Sequence, residues 1–235
     1  MNELIKISQT KPEVQRKFMA GVYLRMVFAL AITAVTAYFV AFQYSTNYSF
    51  ASFYNRNVKN IILICFIAEL AIVFGISFGI RKIKSTTAML LFILYSITTG
   101  LTFSSIFLLF EISSIFKIFV ISALMFLGMS IYGAFTKSDL RSFGRYFTMA
   151  LIGLLVASLL NFFFKSSSLD WLLSILGVGI FVGLTAYDTQ KILAISVYDD
   201  GSEKFQKFAI LGALELYLDF INIFLKMLRL FGKRK

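Results

Sequence analysis

Apolar residues run through this chain in long blocks separated by short polar connections. Seven blocks reach the roughly 20 residues that a helix needs to cross a hydrocarbon core. They fall at about 18–42, 60–80, 87–110, 115–136, 146–164, 171–192 and 208–231. No ten-residue alternation of the kind that builds a membrane barrel is present, and lipid leaves no other way to satisfy a spanning backbone, so the pattern predicts helices throughout. The expected architecture is an all-α membrane protein with seven transmembrane helices in a single domain. A polar segment, 1–17, precedes the bundle at 18–231, and a basic tail, 232–235, follows it.

Composition agrees. Of 235 residues 59% are hydrophobic and 15% charged, where soluble chains carry roughly a quarter charged. No polar stretch is long enough for a separate soluble domain, which needs at least about 50 residues. The first 18 residues lack the basic start, short apolar core and small-residue cleavage site of a signal peptide, so the first span is expected to act as its own signal. The net charge of +11 does not point to nucleic acid, because the basic residues are spread over the ends of apolar blocks. There they set orientation and meet anionic lipid headgroups.

With the N-terminus inside, the inner segments hold Lys6, Lys11, Arg16, Lys17, Arg81, Lys82, Lys84, Lys137, Arg141, Arg145, Lys191, Lys204 and Lys207. The outer loops hold Arg56, Lys59, Lys117 and Lys165. Thirteen against four predicts a cytosolic N-terminus. The tail Lys233, Arg234 and Lys235 resists this scheme, since seven crossings put it outside. A re-entrant last segment would remove the conflict, but the segment is long enough to span, and seven crossings are the expectation.

Pro12 is the single proline, so no span is expected to be proline-kinked. Gly75 with Gly79 and Gly179 with Gly183 form small-residue pairs that predict close helix approach. Cys65 is the single cysteine and histidine is absent. That excludes an internal disulfide, a cysteine zinc site and the usual neutral-pH switch. Proton chemistry has to run on carboxylates, Tyr or Lys.

Two carboxylates stand where charge is expensive. Asp188 lies in GIFVGLTAYDTQ and Asp219 in LGALELYLDFINIFL. Charged groups at a bilayer centre cost about 2.5–3.5 kcal/mol even on insertion scales, so they mark functional positions by default. Glu215, Asp219, Asn222 and Lys226 follow at i, i+4, i+7 and i+11, one face of a helix. Snorkelling at the helix ends would account for Glu215 and Lys226 equally well. Asp219 lies about 16 Å along its segment from Phe208. Asp188 is about 6 Å deep if its helix stops at Ile192 and about 15 Å deep if it continues to Tyr198. In the second case the two can face each other. Close carboxylates do not both ionise easily and share a proton, and when deprotonated they offer hard oxygen ligands to calcium. Glu69, in the middle of the second block, is a further polar interior candidate, with Arg25 a partner by sign alone. Arg81 is on the correct side to be a counter-charge, although a plain positive flank explains it too. The DDGSE run with Asp199, Asp200 and Glu203 lacks the spacing of a calcium-binding hand loop and reads as solvated surface.

The segments YGAFTKSDLRSFGRYFTMALIG (132–153), TAYDTQKI (185–192) and above all LYLDFINIFLKMLRLFG (216–232) resemble the bacterial branch of the Bax inhibitor family, the transmembrane Bax inhibitor motif proteins. The resemblance covers nearly the whole chain. It implies a central seventh helix wrapped by two three-helix layers, a bacterial inner membrane location, and a pH-sensitive calcium leak. It gives Asp188 and Asp219 the role of pH-sensing, calcium-binding dyad, Arg81 that of a latch in the closed state, and Glu69 that of the second-span carboxylate. Lys82 and Lys84 leave the register of the latch open. Glu215 departs from the family pattern, where a small or apolar residue is common. The expected partners are the lipid bilayer, calcium and protons, and other membrane proteins such as a membrane protease; no cofactor is expected.

Three rivals remain at this level. A proton–calcium exchanger suits the same aspartates. A non-transporting modulator of membrane proteins would not need them. A diaspartyl intramembrane protease fits Ala186–Asp188 but not Leu216–Asp219, where a Gly-x-Gly-Asp is required, and no proline follows Pro12; an enzyme is therefore not expected.

Overall fold

A computed structural model describes the backbone of residues 2–235 and the side chains of residues 12–235. It has seven long helices: α1 (Asn2–Thr46), α2 (Tyr48–Gly79), α3 (Ser85–Leu109), α4 (Ile112–Phe135), α5 (Gly144–Phe164), α6 (Ser167–Ser196) and α7 (Glu203–Phe231). A short 3-10 turn, Leu140–Phe143, leads into α5. All seven are long and apolar enough to span a membrane.

The helices outrun the apolar blocks that predict them. The polar residues before Phe18 continue α1 rather than forming a separate segment, and Pro12 sits within that helix. The second helix begins at Tyr48 because Asn47 caps it, its side-chain oxygen accepting from Phe50 N at 3.1 Å. Ser166 caps α6 in the same way through Leu169 N, at 3.3 Å. The apolar run after Ile192 carries α6 on to Ser196. Connections are short. A single residue joins α1 to α2, and two join α3 to α4.

The chain divides into two compact units. The first holds residues up to Glu111, Asp199–Leu214 and Arg234–Lys235, and so α1, α2, α3 and the first part of α7. Within it Gly100 lets α3 approach α1, since a Cβ there would lie 2.8 Å from Thr33 O. Thr33 Oγ1 donates across that contact to Ser96 O at 3.0 Å. The start of α3 is tied to the start of α7, Ser85 N donating to Glu203 at 3.0 Å. The end of α3 is tied to the tail, Lys235 N donating to Leu109 O at 3.0 Å beside a bridge between Phe110 and Arg234.

The second unit holds Ile112–Tyr198 and Glu215–Lys233, and so α4, α5, α6 and the rest of α7. Gly133 meets α6 backbone to backbone; a Cβ there would lie 2.8 Å from Ala186 Cα. Thr189 Oγ1 bonds Ser130 Oγ at 3.3 Å across the same contact. Phe220 packs edge-to-face with Phe119 and Phe126 at centroid distances of 5.3 and 5.8 Å. Of the small-residue pairs, Gly183 does admit a neighbour, Phe147 of α5. Gly75 and Gly179 meet nothing within 4 Å, and Gly79 touches Ile83 alone, so neither pair makes a two-glycine helix contact.

Burial is uneven. The apolar window of α7 is 67% buried, against 11% for α2 and for α5. Side chains on α2 and α5 such as Phe66, Phe78, Leu159 and Phe163 are exposed in the protein and are suited to lipid contact.

Candidate functional site

The second unit gathers three carboxylates and one ammonium. Asp188 and Lys191 come from α6, Glu215 and Asp219 from α7. Both aspartates are buried, at 8% and 4% exposure. Because α6 runs on to Ser196, Asp188 lies eight residues, about 12 Å, inside its end. The carboxyl groups of Asp188 and Asp219 lie within reach of a hydrogen bond with one another. Lys191 closes the cluster. Its Nζ is 3.3 Å from Asp188 Oδ1 and 2.7 Å from Glu215 Oε1, and 6.0 Å from the Tyr187 ring centroid. Oδ2 of Asp219 is buried without a hydrogen-bond partner among the described residues. A water, a proton or a cation would satisfy it, since buried polar atoms in native folds are generally paired.

Each residue of the run Asp188–Thr189–Gln190–Lys191 has a different task, as successive positions on a helix point about 100° apart. Asp188 meets Asp219, and Thr189 bonds α4. Gln190 holds the loop between α4 and α5, accepting from Leu140 N at 2.8 Å and donating to Ser138 O at 2.9 Å. Lys191 pairs with two carboxylates, Asp188 and Glu215.

The rest of the α7 stripe divides. Asn222 donates to Leu218 O of its own helix at 2.8 Å and does not join the cluster. The stem of Lys226 lies over Gly177, where a Cβ would come within 2.9 Å of its Cε. At that end of α7, Arg229 pairs with Asp170.

Glu69 belongs to the first unit. It accepts from Thr102 Oγ1 at 2.9 Å. Arg25, matched to it by sign, instead donates to Gly21 O of its own helix at 2.9 Å. Arg81 follows the end of α2 in that first unit and is exposed. Within the second unit a cation does stand beside the aspartates: Lys191, which the sequence presents as one more inner-side lysine. The available signal was its three-residue spacing from Asp188, which puts both on one helix face. Asp199 and Asp200 shape the turn before α7, accepting from Gly201 N at 3.0 Å and Ser202 N at 2.9 Å. Among the described residues no group of three side chains is arranged to hold a metal ion, so any ion at Asp188 and Asp219 would rest on those two carboxylates and on backbone or water oxygens.

Comparison with known proteins identifies the family. The family model described as "Inhibitor of apoptosis-promoting Bax1" matches residues 15–235. The inner membrane protein YbhL of Escherichia coli is 46% identical over 220 residues, covering 93% of this chain and 92% of that protein. A protein of Borreliella burgdorferi is 43% identical over 242 residues, 99% of each chain. A third relative, from Rickettsia prowazekii, is 38% identical over 97% of this chain. An integral membrane protein of seven long helices, matched over nearly its whole length, the chain belongs to the Bax inhibitor family.

Proposed function

We propose that the protein is a calcium leak of the bacterial inner membrane, with its N-terminus in the cytosol, gated by protonation of the Asp188–Asp219 pair. The observation that carries this reading is the contact between two buried carboxylates with a tethered ammonium, Lys191, drawn onto one of them. A pair in contact holds either a shared proton or a cation, and its titration belongs to the pair rather than to one residue. Proton uptake removes charge from the site, and with it both the attraction for calcium and part of the hold on Lys191. Lys191 and calcium thus compete for the same oxygens, which is the role the family resemblance gives to Arg81. Glu215, the family's unusual residue, keeps Lys191 close when Asp188 is protonated.

The test is calcium entry into liposomes as a function of pH, for wild type, Asp188→Asn, Asp219→Asn, Lys191→Gln and Arg81→Ala. Either asparagine variant is expected to flatten the pH profile. Lys191→Gln is expected to raise entry at the pH where wild type is least active. Five superimposable curves would sink the proposal. Entry that an imposed proton gradient can drive uphill would make the protein an exchanger instead.

A further inference from the structure

A cavity of about 240 Å³ opens in the first unit between α1 and the start of α7, and none of the carboxylate cluster lines it. Lys17 and Arg25 line it from α1, with Gly21 between them; Phe18, Phe205 and Ala209 form its apolar wall. Three observations bear on what it holds.

The first is depth. The 21 residues from Met26 to Thr46 extend about 31 Å as a helix, enough to cross the hydrocarbon core unaided. On α7, the 23 residues from Ala209 to Phe231 extend about 34 Å. Both helices put the cavity at the level of lipid phosphates, on the face where α7 begins. The second is charge. Arg25 uses Nη1 on Gly21 O, 2.9 Å away, which pins the guanidinium at the cavity. Among the described residues neither Arg25 nor Lys17 has a carboxylate partner within ion-pair distance. Asp199 also lines the cavity, but it is engaged by Gly201 N, leaving two cations over one carboxylate. The third is polarity. The wall beneath the cations is buried and apolar, with Phe18 and Phe205 each at 7% exposure and Ala209 at 4%. Cations above an apolar wall match a phosphodiester joined to acyl chains, since guanidinium and ammonium both bind phosphate oxygens.

We infer that this cavity binds the phosphate of an anionic phospholipid. The same donors could take a soluble phosphate ester, and the test separates the two. Purified protein is placed in nanodiscs of phosphatidylcholine alone or doped with phosphatidylglycerol, and thermal unfolding is followed. A third arm adds glycerol phosphate to phosphatidylcholine discs. Phosphatidylglycerol is expected to raise the unfolding temperature of wild type, and glycerol phosphate is not. Arg25→Gln and Lys17→Gln should each weaken phosphatidylglycerol binding about fivefold, the value of one basic residue at a lipid surface. Arg16→Gln removes an exposed neighbouring cation outside the cavity and should leave the shift intact. Lys17 is exposed, so its variant reports binding even if Arg25→Gln fails to fold. An equal shift in wild type and Lys17→Gln overturns the inference, as does an equal shift with glycerol phosphate alone.

Discussion

Lys191 is the one ammonium among three carboxylates, so its removal leaves Asp188 and Glu215 without their counter-charge. Breaking a fully buried pair costs about 3–5 kcal/mol. Lys191's side chain is 34% exposed, and solvent screening lowers the expectation for Lys191→Gln to about 1–2 kcal/mol. Thermal unfolding in detergent measures it, and Lys191→Gln with Glu215→Gln should lose less than the sum of the single variants. A second prediction concerns Asp139, which caps the turn before α5. Hydrogen bonds from the Arg141 side chain and then its backbone N–H hold its carboxyl below the ordinary 3.8. A lowered value means the contribution is complete above 3.8 and is lost as pH falls through the lowered value. Exchange of the Arg141 amide should accelerate in that acid window, and Asp139→Asn should abolish the pH dependence. The two aspartates were legible in the sequence because charge in lipid is costly. Lys191 was not, because it stood next to an apparent block edge that α6 overruns. Arg25 and Asn222 carried polar signals too, but each turns a side-chain N–H to a backbone carbonyl four residues back rather than joining the carboxylates.

Helix number and order were legible because lipid demands about 20 apolar residues per crossing. Helix limits were not, since caps and amphipathic turns extend helices beyond the hydrocarbon, as at Asn47 and Ser166. Glycine spacing misled for a related reason: a small residue permits approach but does not say whether a neighbour is there. Close helix contacts instead run through Gly100 and Gly133, outside any paired motif. Gly133→Ala would force α4 from α6 and should cost about 1–3 kcal/mol, the usual range for overpacking. Gly75→Ala meets open space and should be neutral or slightly stabilising. Unfolding temperatures of the two variants should separate accordingly; equal values would contradict the α4–α6 contact.

The path of the whole chain through the membrane rests on two ties. Both ends of α3 meet the α7 segment, at Glu203 and at Lys235. The last helix therefore runs parallel to α3, as a full crossing requires and a re-entrant return does not. With the proposed cytosolic N-terminus, seven crossings would put Lys235 on the opposite side despite its charge, thirteen inner basic residues against four outweighing the tail. In a Cys65→Ser background, Gly201→Cys is expected to react with an impermeant thiol reagent from the cytosolic side. Glu111→Cys and Lys235→Cys should react from the other side. Labelling of residues 201 and 235 from one face would refute this path.

The double hold of Gln190 on the α4–α5 loop gives the site a mechanical handle. One side-chain amide grips Ser138 and Leu140, and half a helical turn away the same stiff helix carries Asp188. A pull on that loop would therefore load the carboxylate turn directly instead of dissipating in slack. Gln190→Ala should cut that lever, letting Leu140's amide exchange freely while Asp188 keeps its neighbours.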